Sequence, residues 1–290
     1  YALAGIGTFC HEFAHTLGLP DFYDTDYDES GGWAAGLWIT TSLMDGGNSN
    51  NNSNTPPFLN SIERMMTGLA EPVTITGNGT YTLEPLHKSN RFYKIETDRK
   101  DEYYLLECRE ADGWDSHIGG SGMLVYHIDR STPSAWNYNE VNCNPAHQNA
   151  DLVEADRRTE ILTDANYWSL VGNIGGIFFP YGSTNSLTPS STPGLKFWSG
   201  KAGEVSIKEI KRDGGKITFN VLGFEGEQPP APTNLKVEAF MDAAILNFES
   251  DRAYDGEATI VWNKAGQEEE TLRLQPYETG RYAVIFEGLT

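Results

Sequence analysis

Residues 10–21 read CHEFAHTLGLPD, and the rest of the chain can be understood around this stretch. Histidines four positions apart on an α-helix lie one turn above each other on the same face. His11 and His15 therefore direct two imidazole nitrogens at one point, as a tetrahedral Zn²⁺ requires of its first two ligands. Glu12 lies on the flank of that face, where its carboxylate reaches a water on the metal without binding the metal itself. The pattern predicts a zinc-binding helix with Glu12 as the general base.

The residues after the second histidine predict the end of the helix and a third ligand. Gly18 favours the left-handed conformation that ends helices, and Pro20 prevents the helix from resuming. The chain then turns Asp21 back towards the histidines, so we predict Asp21 as the third zinc ligand. The fourth position stays open for water and substrate, as in catalytic zinc sites. HExxH alone also occurs in surface helices without metal, but these three further residues favour the metal.

Met44 lies in the segment GLWITTSLMDGG, residues 36–47. Metzincins place a methionine in a tight turn beneath the metal, after an elongated zinc motif. Taken alone, Met44 is better explained as an ordinary core residue, because methionine fills irregular gaps. Beside the zinc motif we predict that it forms such a Met-turn. Glu63, on the next predicted helix, comes too late in the chain to be a thermolysin-like third ligand.

Six segments of the chain resemble the immune inhibitor A-type secreted metallopeptidases, over residues 1–222. They are HEFAHTLGLPDFYDTD (11–26), SLMDGG (42–47), PFLNSIER (57–64), GLAEP (68–72), EYYLLECREADGWD (102–115) and GSGMLVYHIDR (120–130). The resemblance implies a protein or peptide substrate, zinc held by His11, His15 and Asp21, the base Glu12 and the Met-turn residue Met44. Some metzincins add a tyrosine two residues after that methionine. Gly46 stands there, so we assign no such role.

The zinc motif begins early, since only ten residues precede His11. Metzincin-type catalytic domains have a β-sheet and a helix upstream of the zinc helix, and the edge strand of that sheet lines the cleft. We therefore expect this chain to hold the lower half of a catalytic cleft and to be inactive by itself. The resemblance implies a secreted or cell-surface location.

The composition bounds the class of protein. The 290 residues suffice for about two or three domains, and 39% of them are hydrophobic. A net charge of −20 argues against nucleic acid as a partner. No apolar run approaches the roughly 20 residues that cross a bilayer, so we predict no transmembrane segment. Three cysteines leave at least one unpaired, and a bridge between Cys108 and Cys143 stays open.

We predict a multidomain α+β protein. Residues 1–72 form the C-terminal part of a metallopeptidase catalytic domain, without its N-terminal sheet. Residues 73–224 form an all-β domain with a long insert, residues 225–233 a proline-rich linker, and residues 234–290 a β-sandwich that resembles a fibronectin type III module. Such a sandwich needs about seven strands. Only five predicted strands fit, so we expect it to be incomplete.

The local patterns predict particular helices and strands. We expect the zinc helix at 2–17, with an apolar face, and a second helix that starts at Pro56 and Pro57. Glycine-rich turns predict two hairpins. These hairpins pair strands 73–76 with 80–83 and strands 205–210 with 216–222, and further strands are expected at 92–97, 103–109 and 123–128.

An acidic loop follows the zinc motif, and Asp24, Asp26 and Asp28 are spaced like the start of an EF-hand. The sixth position is Glu29 rather than glycine and the twelfth is Ala35 rather than glutamate, which excludes an EF-hand. An irregular calcium site and a solvated loop both remain open.

The long insert, at about residues 131–200, raises the same question of whether its polar residues bind Ca²⁺. A second Ca²⁺ site and a hydrogen-bonded scaffold are the two interpretations of its polar residues. They are Asn139, Asn142, His147, Asp151, Glu154 and Asp156, together with His127 and Asp129 on a nearby strand.

The sequence thus predicts a secreted zinc endopeptidase that hydrolyses peptide bonds in proteins. One alternative is a secreted or cell-surface binding or adhesion protein with a vestigial peptidase portion, and its zinc content would separate the two. A second alternative is glycan binding through loop tryptophans, which are more often packing anchors. They are Trp114, Trp136, Trp168 and Trp198.

Overall fold

The computed structural model describes residues 5–201, 203–224, 233–249, 258–263, 270–277 and 281–288. This part of the chain is a mixed α/β structure with several sheets and few helices. It divides into two compact units, one made of residues 1–76 and 81–223 and the other of residues 77–80 and 224–290. A multidomain α+β protein is consistent with this. The predicted domain boundary at 72/73 lies inside the first unit.

The helices among the described residues are short. They are Ile6–His15 (α1), Asn50–Ser53 (α2), Ser61–Met66 (α3), Leu86–Ser89 (α4), Pro133–Asn137 (α5) and Tyr167–Gly172 (α6), with 3₁₀ turns at Gly46–Ser49, Gly113–His117 and Ile174–Ile177. α1 ends before Gly18, which has a φ of +88° as its position predicted. α3 starts later than the two prolines. Its start is set by a capping box, in which the Asn60 side chain and the Glu63 backbone and side chain bond reciprocally.

The strands between residues 33 and 222 form three sheets. The strands are Trp33–Ala34 (β1), Val73–Thr74 (β2), Gly79–Leu83 (β3), Tyr93–Glu96 (β4), Glu102–Arg109 (β5), Gly122–Asp129 (β6), Ala150–Leu152 (β7), Ile161–Leu162 (β8), Ser206–Asp213 (β9) and Lys216–Leu222 (β10). The largest sheet has the order β2-β4-β5-β6-β7, a second has the order β3-β10-β9, and β1 pairs with β8.

One predicted hairpin is confirmed and one is wrong. β9 and β10 pair antiparallel across the glycine turn, as expected. β2 and β3 do not pair with each other, because β2 runs parallel to β4 and β3 joins β10. Each strand pairs with one that is not its neighbour in sequence. The Val73 amide donates to the Phe92 carbonyl, and the ring of Tyr81 stacks on Phe219 with centroids 5.9 Å apart.

The zinc-motif segment and the largest sheet share one hydrophobic core. Every residue of β5 and β6 is buried, as in strands that are covered on both faces. Phe22 and Met44, from the segment around the zinc motif, belong to the same buried cluster as Leu105 and Tyr126 from the sheet. The largest sheet therefore shares its core with the segment that carries the candidate site.

A buried ion cluster joins the sheet to α3. Arg109 on β5 donates to both carboxylate oxygens of Asp115, from Nε at 2.8 Å and from Nη2 at 2.6 Å. Its Nη1 donates to Glu107 at 3.1 Å, and Glu107 also accepts from the Ser61 amide and the Tyr126 hydroxyl. Burial acts to lower the pKa of Arg109, but the two carboxylates raise it well above its usual value. The guanidinium is therefore charged and fully paired.

The second unit consists of five strands among its described residues. They are Thr233–Ala239 (β11), Ala243–Glu249 (β12), Ala258–Trp262 (β13), Glu270–Leu274 (β14) and Arg281–Glu287 (β15), arranged as a sheet β11-β12-β15 and a pair β13-β14. Their number agrees with the five strands that the sequence predicted for this segment. The fibronectin type III resemblance stays a prediction, and residues 225–232 of the predicted linker lie outside the described residues.

The cysteines are not bridged. Cys10, Cys108 and Cys143 are all free thiols, so the open question of a Cys108–Cys143 disulfide is answered in the negative. Cys108 donates to the Gly215 carbonyl, and Cys143 Sγ lies 3.2 Å from Thr25 Oγ1. No helix in the described ranges has the length and apolar character that a membrane crossing requires.

We predict that Arg109→Ala lowers the free energy of unfolding of the first unit by about 3–5 kcal/mol, because two carboxylates are left buried without their cation. Urea denaturation followed by tryptophan fluorescence measures this change. Lys201→Ala is the matched control, since it removes an exposed ion pair with Asp98, and it should leave the urea midpoint unchanged. A loss below about 1 kcal/mol for Arg109→Ala would contradict the assignment.

Candidate metal centre

The first helix turns His11 inward and its apolar stripe outward. Gly7, His11 and Ala14 form the buried face of α1. The residues of the predicted apolar face are exposed, with fractional exposures of 48% for Ile6, 65% for Phe9, 54% for Phe13 and 48% for Leu17. The apolar periodicity therefore predicted where the helix lies in the sequence. It did not predict which face of the helix is buried against the described residues.

Two glycines allow α1 to reach the segment that follows Met44. A Cβ on Gly7 would lie 2.0 Å from the Asn48 carbonyl oxygen, and a Cβ on Gly5 would lie 2.3 Å from the Ser53 carbonyl oxygen. No larger residue fits where the helix meets this backbone. The close approach brings His11 against the loop that carries the methionine.

Backbone carbonyls orient both imidazoles. His11 Nδ1 lies 2.9 Å from the Leu43 carbonyl oxygen, and His15 Nδ1 lies 2.9 Å from the Leu19 carbonyl oxygen. Because a carbonyl only accepts, each Nδ1 carries the hydrogen, and the Nε2 of a neutral ring presents its lone pair. This is how metal-binding histidines are commonly held.

Asp21 completes a set of three ligand atoms. It is 4% exposed, and its Oδ1 lies 3.1 Å from His11 Nε2 and 3.5 Å from His15 Nε2. The same Oδ1 is buried without a hydrogen-bond partner, while Oδ2 accepts from Asn139. Ligand atoms around a tetrahedral zinc ion with bonds of about 2.0–2.1 Å are separated by about 3.3 Å. The spacing and chemistry of the three residues therefore fit zinc.

The charges at the centre favour a cation. Burial alone would raise the pKa of Asp21, but the contacts with His11 and Asn139 and the charge on His15 lower it. The contact with Asp21 raises the pKa of His11, although burial opposes this shift. The Nε2 lone pairs of the two histidines and the Asp21 carboxylate face one another, and these electron-rich groups repel unless a proton or a metal ion lies between them. Because a proton and a metal compete for the same nitrogen, metal binding weakens as the pH falls.

The roles of Glu12 as general base and of Met44 in a Met-turn stay predictions. Glu12 is exposed on α1, and its charge contributes to raising the pKa of His11. Met44 is fully buried, and its carbonyl accepts from the Phe22 amide, one residue after Asp21.

Glu63 supports the methionine turn, which the sequence did not indicate. Its buried carboxylate accepts from the Ser42 hydroxyl at 2.6 Å, the Met44 amide at 3.0 Å and the Asn60 amide at 2.8 Å. Burial raises the pKa of Glu63 despite these hydrogen bonds. The residue that sequence reasoning set aside as a ligand thus fixes the backbone beside His11. The spacing of Asn60 and Glu63, which is that of a capping box, was the only trace of this position in the sequence.

The acidic loop gives no support to the calcium site that the sequence left open. Asp24 and Asp26 converge with Cys143, whose thiol is a soft ligand that calcium disfavours, and Asp28 is not part of the group. Asp24 instead stabilises the loop, since its oxygens accept from the amides of Asp26 and Ala34. Burial raises the pKa of Asp24 to about 6.

The polar residues of the insert act as hydrogen-bonded scaffolding. Within the described ranges, the histidines and acids among them do not bring three ligand atoms to one point. They are distributed over separate contacts: His127 with Glu102, His147 with Asp129, Asn142 with the Phe22 and Ala150 carbonyls, Asp151 with Gln148, Glu154 with Trp38, Asp156 with Arg158 and Asn139 with Asp21. Calcium is not supported here.

Two of the four tryptophans considered for glycan binding are packing anchors. Trp136 is 7% exposed and donates to the Asp129 carbonyl, and the ring of Trp198 stacks between His127 and His147. The other two, Trp114 and Trp168, are exposed. The glycan interpretation therefore applies only to these two exposed tryptophans and stays a prediction.

The comparison with known families agrees with the site. A family model described as immune inhibitor A peptidase M6, catalytic domain, matches residues 2–61. This range holds all the predicted site residues, which are His11, Glu12, His15, Asp21 and Met44. The match supports a metallopeptidase of the immune inhibitor A type. No curated protein and no solved structure matches the chain.

We predict that Gly7→Ala lowers the free energy of unfolding by about 1–3 kcal/mol, because the added methyl group collides with the Asn48 backbone. Chemical denaturation of the zinc-free protein measures the change. Gly172→Ala is the matched control, since a Cβ at this position in α6 meets nothing within 4 Å. It should be neutral or slightly stabilising. Equal stability of the two variants would show that the close approach of α1 is not required.

Proposed function

We propose that the chain is the zinc-binding portion of a secreted endopeptidase that cleaves peptide bonds in proteins. The observation that carries the proposal is the convergence of two imidazole lone pairs on the unpartnered Oδ1 of Asp21. The family match over residues 2–61 supports a peptidase. Secretion is proposed from the resemblance to secreted metallopeptidases, and the net charge of −20 is consistent with it.

The mechanism assigns a separate task to each residue. His11, His15 and Asp21 would hold the zinc ion, which supplies Lewis-acid polarisation of the scissile carbonyl and lowers the pKa of a bound water. The Glu12 carboxylate accepts a proton from the attacking water and later gives it to the departing amine. The Leu43 and Leu19 carbonyls keep the imidazoles in the tautomer that presents Nε2.

We predict that the purified chain binds one equivalent of zinc and that Asp21→Ala weakens this binding at least about 100-fold, since a third of the protein ligands is lost. Competition with a chromophoric chelator at neutral pH gives the affinities. Asp28→Ala is the matched control, because Asp28 is exposed in the adjoining loop, and it should bind zinc like the parent. A parent chain that binds no zinc would instead favour the vestigial peptidase.

We predict that Glu12→Ala retains zinc but lowers kcat by about 10²–10⁴-fold, since only the proton acceptor is removed. The assay is the hydrolysis of a quenched fluorescent peptide by a protein that carries the complete catalytic domain. Glu29→Ala, an exposed acid in the following loop, serves as the control. Turnover by Glu12→Ala within threefold of the parent would remove Glu12 from the mechanism.

A further inference from the structure

A residue of the insert contacts the candidate metal centre directly. The Asn139 side chain forms two hydrogen bonds with Asp21. Its Oδ1 accepts from the Asp21 backbone amide at 2.6 Å, and its Nδ2 donates to Asp21 Oδ2 at 2.7 Å. The two residues lie 118 positions apart in the sequence.

We propose that Asn139 is a positioning residue of the metal centre, which holds Asp21 so that a single carboxylate oxygen is offered to the metal. The inference rests on the proposed function. A carboxylate that is free at both oxygens can rotate and can bind a cation through either or both. Asn139 removes this freedom, because its side-chain amide forms hydrogen bonds with both the backbone and the side chain of Asp21. Oδ1 is then left facing the two histidines, buried and without a hydrogen-bond partner.

Asn139 is itself held in place. Its carbonyl accepts from the Thr25 hydroxyl at 2.6 Å, so the loop that carries Asp21 and the loop that carries Asn139 are tied in both directions. The fully buried Asn142, three residues further on, donates to the Phe22 carbonyl at 2.9 Å. These bonds fix the position from which the Asn139 amide acts.

The backbone at position 139 restricts which residues fit there. Asn139 has a φ of +64°, in the left-handed region that asparagine tolerates better than most residues and glycine best of all. Glycine therefore removes the amide without straining the backbone, whereas alanine would add strain. Aspartate keeps the size and shape of the side chain but places an oxygen against Asp21 Oδ2. These two substitutions separate positioning from simple packing.

Outer hydrogen-bond partners of metal ligands typically change metal affinity or activity by about 10–100-fold when they are removed. We therefore expect Asn139→Gly to weaken zinc binding by about 10–100-fold. We expect Asn139→Asp to weaken it further, because its oxygen repels the carboxylate. A purely structural role would instead lower the stability of the zinc-free chain and leave the affinity of its folded form unchanged.

The experiment measures two quantities on the full chain, the zinc dissociation constant by chelator competition and the urea midpoint of the zinc-free protein. Asn90→Gly is the matched control. Asn90 also has a positive φ, of +53°, and its exposed amide contacts Arg64 and Leu69 rather than the metal centre. The control should bind zinc like the parent. Asn139→Gly should show the weaker affinity with a zinc-free midpoint close to that of the parent.

Two other results overturn the inference in distinguishable ways. If the parent binds zinc and Asn139→Gly binds it within twofold of the parent affinity, Asn139 does not position Asp21, and the proposed function stands. If the parent binds no zinc, the proposed function fails and this inference fails with it. Substitution of Co²⁺ for zinc gives an independent readout, since a displaced carboxylate changes the visible absorption of the ion in Asn139→Asp relative to Asn90→Gly.

Discussion

The hydrogen bond between His11 Nδ1 and the Leu43 carbonyl is the contact on which the candidate metal centre depends. It joins the helix that carries two ligands to the turn that carries Met44, and it aims the other ring nitrogen at Asp21. The bond forms only because Gly5 and Gly7 let α1 approach the backbone of the following loop. Two small residues thus determine the geometry of the site, although the candidate metal ligands are larger side chains.

The local part of the site could be predicted from the sequence. The spacing of His11 and His15 and the glycine that ends the helix act within a dozen residues, so their consequence can be read directly. The roles of Glu63 and Asn139 could not be read in this way. Their hydrogen bonds form only after segments that are separated in the sequence have packed together. A single sequence does not indicate which segments come into contact.

The fold, like the candidate site, could be predicted from the sequence only in its local features. The strands β4, β5, β6, β9 and β10 lie close to their predicted positions, and the turn before Lys216 formed the expected hairpin. The turn at residues 77–79 carries an equally strong local signal, yet its flanking strands joined different sheets. Turn residues permit a reversal of the chain, but the partner of each strand is decided by which apolar faces can be buried together. The same holds for α1, whose exposed stripe has the periodicity of a buried one.

The shared core of the first unit limits how far the site can be treated as a portable module. The family match ends at residue 61, but Met44 and Phe22 are buried with side chains from β5 and β6, and Asp21 is held from residue 139. A peptide that ends at residue 61 would keep every residue of the zinc motif. It would lose the sheet and the insert that pack against this motif. Transplanting this chemistry into another scaffold would therefore require grafting the sheet and the insert together with the helix.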